Sequence, residues 1–268
     1  MKRPELAPWI ARLCRTFVLV AEKPLGVRAR ARMRAQLIEQ LVPVVETKTH
    51  YGVLKFYSPA TMPFSRSGMK GKQILEWIDG LATDNVLWDI GANVGVHTLY
   101  AARKGMQVVA FEPEAQNFGI LATNIILNGI DQRAGALNIA FNDQSGIGRL
   151  QLSDLRPGMA QHQFSVSAAP EDRDAGATGQ QWTLGYAIDD FVQSFDVAFP
   201  DHIKIDVDGN ELLILEGARR VFSDRRVKSA VIETRPETYA SAVEFMKERG
   251  FSVSWEKGNQ SGDIFFQR

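Results

Sequence analysis

Val86-Leu-Trp-Asp-Ile-Gly-Ala-Asn-Val-Gly95 is the stretch whose reading decides the fold. An apolar run closes on an acid, a glycine-punctuated turn follows, and Val96-His-Thr-Leu-Tyr-Ala-Ala102 has the composition of a helix. A strand, a tight turn and a helix in that order set backbone N–H groups beside a bound ligand. The glycines serve the turn, because a residue without a Cβ tolerates positive φ and lets backbone approach closely. The dinucleotide fingerprint G-x-G-x-x-G needs a second glycine where this chain has Asn93. The spacing is instead Asp89-x-Gly91-x-x-x-Gly95.

Downstream, Val108-Val-Ala-Phe-Glu-Pro113 reads as a second buried strand ending in an acid. Glu112 lies 21 positions after Gly91, near the interval of about 20 at which an acid meets the ribose hydroxyls of a nucleoside. A carboxylate suits a diol because it accepts two hydrogen bonds and donates none. His202-Ile-Lys-Ile-Asp-Val207, followed by Asp208 and Gly209, and Ala230-Val-Ile-Glu233 are further strands with acids at their ends. Ligands in open α/β sheets bind beyond the carboxyl ends of strands, so Asp206 and Glu233 should face the same crevice as Gly91 and Glu112.

The Asp89 to Gly95 pattern resembles motif I of the class I S-adenosylmethionine-dependent methyltransferases. Taken with Phe111-Glu-Pro-Glu114, Asn117, Asn124-Ile-Ile-Leu-Asn-Gly129 and Ile203-Lys-Ile-Asp-Val-Asp-Gly-Asn-Glu211, it makes residues 80 to 265 similar to the FkbM-type enzymes of that class. The resemblance implies an α/β, Rossmann-like fold with a mostly parallel seven-stranded sheet and a C-terminal antiparallel hairpin. It implies S-adenosylmethionine as cofactor, held by Asp89, Gly91, Asn93, Gly95, Glu112 and Asp206, with Asn142 or Asp143 near the adenine. An Asx turn accounts equally well for that last pair.

The resemblance further implies O-methyl transfer to a hydroxyl of a small molecule, sugar or glycolipid. An aliphatic hydroxyl is a weak nucleophile, so a base should contribute about 10² to 10⁴-fold. Asp206, Glu233 and His162 are the candidates, His162 because it stands in a long connection and titrates near neutrality. Clustered oxygens at Asp206 and Asp208 would suit magnesium, but cofactor and substrate contacts explain these acids and no metal is expected. The family more often has Glu where this chain has Asp208, a difference of one methylene that points to a different acceptor.

The 268 residues suffice for one large α/β domain with appendages, and 31 basic against 31 acidic residues give no general attraction to nucleic acid. The single cysteine, Cys14, excludes an internal disulfide and fits the reducing cytoplasm. The balance hides an asymmetry: residues 1 to 34 carry nine Lys and Arg against Glu5 and Glu22. Trp9, Ile10, Leu13, Phe17 and Val20 recur at helical spacing, and Met33, Leu37, Ile38 and Leu41 suggest a second helix. The apolar run is too short to span a bilayer. A cap on the core and a peripheral contact with an anionic membrane or acidic carrier are both compatible with it.

Residues 1–45 therefore read as a basic helical cap, 46–79 as a hairpin and linker helix, and 80–268 as the cofactor-binding domain. Gly135 to Phe141 reads as one strand, residues 153 to 181 as a substrate-shaping loop, and Trp182 to Ile188 as a strand before the capping acids Asp189 and Asp190. Phe251 to Lys257 and Asp263 to Gln267 form the closing hairpin. A second class of function, a non-catalytic S-adenosylmethionine-binding or membrane-associated interaction protein, is motivated by the basic helix. A nicotinamide-dependent oxidoreductase is disfavoured by Asn93 and by the closing hairpin.

Overall fold

A computed structural model describes residues 6–41, 43–61, 69, 71–166, 177–256 and 262–268. The chain divides into two units, 1–43 and 44–268. In the first, α1 (Leu6–Ala21) and α2 (Val27–Leu41) occupy the stretches whose periodicity predicts helices. No helix among the described residues is long and apolar enough to cross a membrane.

The second unit starts with the hairpin β1 (Val44–Thr49) and β2 (Gly52–Tyr57), then α3 (Lys72–Gly80). The stretch that decides the fold forms β3 (Val86–Ile90) and α4 (Val96–Lys104). Next come β4 (Gln107–Phe111), α5 (Ala115–Leu127) and β5 (Ala134–Leu137). Four strands follow: β6 (Ala140–Phe141), β7 (Gly146–Leu152), β8 (Gln163–Ser165) and β9 (Gly179–Tyr186). The chain then runs through α6 (Ile188–Ser194), β10 (His202–Ile205), α7 (Glu211–Glu216), α8 (Arg219–Ser223) and β11 (Ser229–Thr234). It closes with α9 (Pro236–Glu248), β12 (Ser252–Glu256) and β13 (Gly262–Gln267).

The main sheet has seven strands in the order β12-β13-β11-β10-β3-β4-β5. The pairs β11–β10, β10–β3, β3–β4 and β4–β5 are parallel, and β13 lies antiparallel between β11 and β12. This is the class I methyltransferase arrangement implied by the sequence resemblance. Because side chains alternate across a strand, each central strand feeds two cores. Trp88, Ile90, Ile203, Ile205, Ala230 and Ile232 pack on one side, against α6 to α9; Leu87, Val108, Ala110 and Val231 pack on the other, with α3, α4 and α5. Trp88, Phe111, Phe141 and Phe191 form an aromatic cluster, with Phe111 and Phe141 centroids 4.7 Å apart.

The hairpin β1–β2 belongs to this same unit. Leu54 and Phe56 are fully buried, and α5 asparagines hold the β2 backbone: Lys55 N donates to Asn128 Oδ1 at 2.9 Å and Tyr57 N to Asn124 Oδ1 at 2.7 Å. The expected single strand from Gly135 to Phe141 is broken instead. Asn138 Nδ2 donates to the carbonyls of Glu112 and Pro113, so residues 134–137 stay in the main sheet while 140–141 leave it. Part of the expected loop is also regular structure: β6, β9, β7 and β8 pair in that order as a second, four-stranded sheet. Residues 167–176 of that loop and 257–261 of the closing turn lie outside the described residues.

Strand order reverses between β3 and β10, and there Gly91 is required twice over. Its φ is +76°, and a Cβ built on it would lie 1.8 Å from the Asp206 carbonyl oxygen. The obstacle is backbone of the neighbouring strand and cannot swing aside. Gly91→Ala should therefore lower stability by at least about 3 kcal/mol, combining left-handed strain with overpacking. Urea denaturation of the purified protein measures this directly.

Candidate functional site

Asp89 and Lys204 are partners in the parallel register of β3 and β10 and share one face of the sheet. Lys204 Nζ lies 3.0 Å from Asp89 Oδ1 and 3.3 Å from Asp206 Oδ2. Lys204 is 1% exposed and Asp89 is fully buried. Burial alone would favour the neutral amine, but Asp206 and Asp89 more than offset it and hold the lysine protonated. Asp89 is likewise kept below the usual carboxylate range: burial opposes ionisation, while Lys204 and a 2.6 Å hydrogen bond from Thr98 favour it. The lysine thus fixes a charged framework beneath the strand ends.

Above it, a cleft of about 240 Å³, partly open to solvent, is lined by Gly91, Asn93, Glu112, Asp206, Asp208 and Glu233, among others. Each comes from just beyond the carboxyl end of a central strand, apart from Glu233, which is still within β11. Asn93 holds a left-handed φ of +52°. That conformation turns its N–H to Glu112 Oε2 at 2.8 Å, while Glu114 N donates to Glu112 Oε1 at 2.9 Å. Burial raises Glu112 to about 7 against these two backbone donors. A carboxylate held on two N–H groups at the wall of a cleft retains lone pairs for a diol.

Asp206 and Glu233 line the cleft together, and each shifts the other's ionisation. Burial, then the Asp206 charge, pushes Glu233 up to about 8. Asp206 goes the other way, because Lys204 and Glu233 outweigh its burial. At neutral pH the pair shares one proton. His162 lines the same cleft; burial shifts it down, so it is neutral there, and its Nδ1 accepts from Ser153 N at 3.4 Å. All three catalytic candidates named from the sequence therefore meet in one place.

The cofactor candidates divide differently. Gly91, Asn93, Glu112 and Asp206 line the cleft; Asp89, Gly95, Asn142 and Asp143 do not. Asp89 lies beneath the cleft, its oxygens taken by Thr98 and Lys204. Gly95 precedes α4, where a Cβ would meet Leu121 at 2.5 Å. Asn142 is buried, and its side-chain oxygen accepts from the N–H of the next residue, Asp143, a closer contact than the i to i+2 bond of an Asx turn. A smaller apolar pocket adjoins the cleft beside Ile139, Ala140, Phe141, Leu150 and Phe164.

Sequence reasoning missed Lys204 and, within the loop expected to shape the substrate site, the side-chain ties that hold a strap over the cleft. The signal for Lys204 was a lone cation in the apolar run Ile203-Lys204-Ile205, since a lysine buried on both sides must be paired. The strap, residues 154–162, is tied down by scaffold side chains. Asn93 Nδ2 and Asn117 Nδ2 both donate to Met159 O at 3.0 Å, Gly158 N donates to Asn117 Oδ1 at 2.6 Å, and Gln161 N to Asp208 Oδ2 at 2.5 Å. Asp208, read as a substrate contact, lines the cleft and also holds the strap, with a left-handed φ of +62° and its carbonyl bound by Arg235.

The family profile described as the methyltransferase FkbM domain matches residues 89–253. The chain is 30% identical over 192 residues to the hexuronic acid methyltransferase AglP of Haloferax volcanii, covering 69% of this chain and 71% of that protein. It is 24% identical over 212 residues to the methyltransferase sdnD of Sordaria araneosa, covering 70% and 82%. A crystal structure of methyltransferase FkbM from Methylobacillus flagellatus superposes with a TM-score of 0.49 at 16% identity. That match spans 70% of this chain and 44% of the other, less than half its length. Glu112→Ala should weaken S-adenosylmethionine binding by about 1.5 to 3 kcal/mol, the worth of a hydrogen bond to a charged group. Calorimetric titration reads the loss, and unchanged affinity would remove Glu112 from the ribose.

Proposed function

This chain belongs to the FkbM family of S-adenosylmethionine-dependent methyltransferases, and we propose that within it the protein methylates a hydroxyl oxygen of a saccharide or related hydroxylated molecule. The observation that carries this reading is the Asp206–Glu233 pair in the cleft of Gly91, Asn93 and Glu112. The cofactor supplies an already activated methyl carbon. What remains for the protein is to orient the acceptor, exclude water and take a proton.

The residues fit those tasks. Glu112 and the Gly91 to Asn93 backbone would hold the nucleoside, with the apolar surface at Phe141 and Phe164 beside the base. The carboxyl pair would receive the acceptor's hydroxyl proton, and Lys204 would keep Asp206 oriented while the pair changes protonation. His162 and the strap would cover the reacting groups. A carboxylate acceptor fits poorly: it is ionised without any base and would be repelled by Asp206 and Asp208. The Haloferax relative is a hexuronic acid methyltransferase, which is consistent with a sugar acceptor that offers both groups.

Transfer of a labelled methyl group to a panel of uronic-acid-containing saccharides tests the proposal. The expected product is a methyl ether that survives mild alkali. A base-labile ester, or no transfer to any saccharide, would overturn it. Because Glu233 is protonated below about 8, kcat should rise as pH increases through that value. Glu233→Gln should lower kcat by about 10² to 10⁴-fold and abolish the rise; a pH–rate profile of both proteins checks this.

A further inference from the structure

The N-terminal unit carries a surface that methyl transfer does not use. In α1, Trp9, Ile10, Leu13, Phe17 and Val20 fall within an arc of about 100°. All five are exposed, Phe17 by 74%. Arg12 and Arg15 lie outside the arc on the same helix. The start of α2 is tied to the end of α1: Arg30 donates to the carbonyls of Leu25 and Lys23 at 2.7 and 3.1 Å, and Arg34 is paired with the buried Glu22. Arg12 and Arg15 on α1, Lys23 at the corner and Arg28 and Arg32 on α2 are all exposed. An uninterrupted apolar arc open to water marks a contact surface, and its cationic border limits what can cover it.

We propose that residues 6–41 are a membrane-docking element that lies in the interface of an anionic bilayer. The five apolar side chains would enter the acyl boundary, and the arginines would meet headgroup phosphates. An amphipathic helix with Trp and Phe on one face and Arg on the other binds in this way without spanning. Basic residues near an anionic leaflet add to the affinity, and Trp favours the same depth. Charge complementarity decides against a second copy of the chain, because self-association would bring two sets of exposed cations together. The inference is independent of which acceptor is methylated.

Co-sedimentation of the full chain with vesicles tests it. The protein should pellet with equimolar phosphatidylcholine–phosphatidylserine vesicles, not with phosphatidylcholine alone, and high salt should release it. Phe17→Asp and the double variant Arg28→Glu/Arg32→Glu should each weaken binding at least about tenfold, with S-adenosylmethionine affinity unchanged. Absence of binding to anionic vesicles, or binding indifferent to both variants, would overturn the proposal. So would a vesicle-independent dimer that Phe17→Asp dissociates, which assigns the arc to a second copy. A fall in thermal stability of Phe17→Asp without any vesicle binding would assign it to packing within the chain.

Discussion

Lys204 stands between Asp89 and Asp206 with 1% of its surface exposed, and the architecture of the cleft depends on that arrangement. Asp89 and Lys204 share a place from which water is excluded, and Asp206 stands at its edge, on the wall of the cleft. Each is tolerable only because the others are there, and removing one partner of such a set typically costs about 3 to 5 kcal/mol. A cheaper core would have filled the space with aliphatic side chains. What the charged set provides instead is position: Asp89 fixes the ammonium, and the ammonium fixes Asp206. The register of two parallel strands thereby becomes the orientation of a carboxylate.

Around that fixed point the fold places acids with opposed tendencies. Asp206 sits beside the lysine and ionises readily, whereas Glu233 and Glu112 are pushed up to about 8 and 7 by burial. Carboxyl groups separated in this way can divide labour between holding charge and moving protons. Their sources along the chain are distant, but all lie at the ends of central strands, so the order of strands in the sheet is what assembles them.

The sequence revealed the parts of this design that repeat along the chain. Apolar runs ending in acids predicted β3, β4, β10 and β11, and the glycine spacing predicted the turn between β3 and α4. It was less informative where one side chain serves another element. Asn124 and Asn128 read along the chain as parts of one motif at the end of a helix, yet their side chains hold the β2 hairpin. Asp189 looks like a cap for its own helix but accepts from Arg220 N and Val221 N at α8. The second sheet was hidden because β8 is three residues long and its ring, Phe164, packs over Gly148 and Gly185. Such pairings depend on separations in space that no local period encodes.

The strap over the cleft has an asymmetry with a different kind of consequence. Its ties run from side chains of the scaffold, Asn93, Gln116, Asn117 and Asp208, to its own backbone at Leu155, Gly158, Met159 and Gln161. The latch therefore reads the path of the strap and not its sequence. Side chains along it, apart from the left-handed positions Gly158 and Gln161 and the cleft-lining His162, are at liberty to change while the closure is preserved, and a new acceptor can be accommodated without rebuilding the cofactor cradle. Selection, or an engineer, can treat this segment as an exchangeable module on an unchanged catalytic frame.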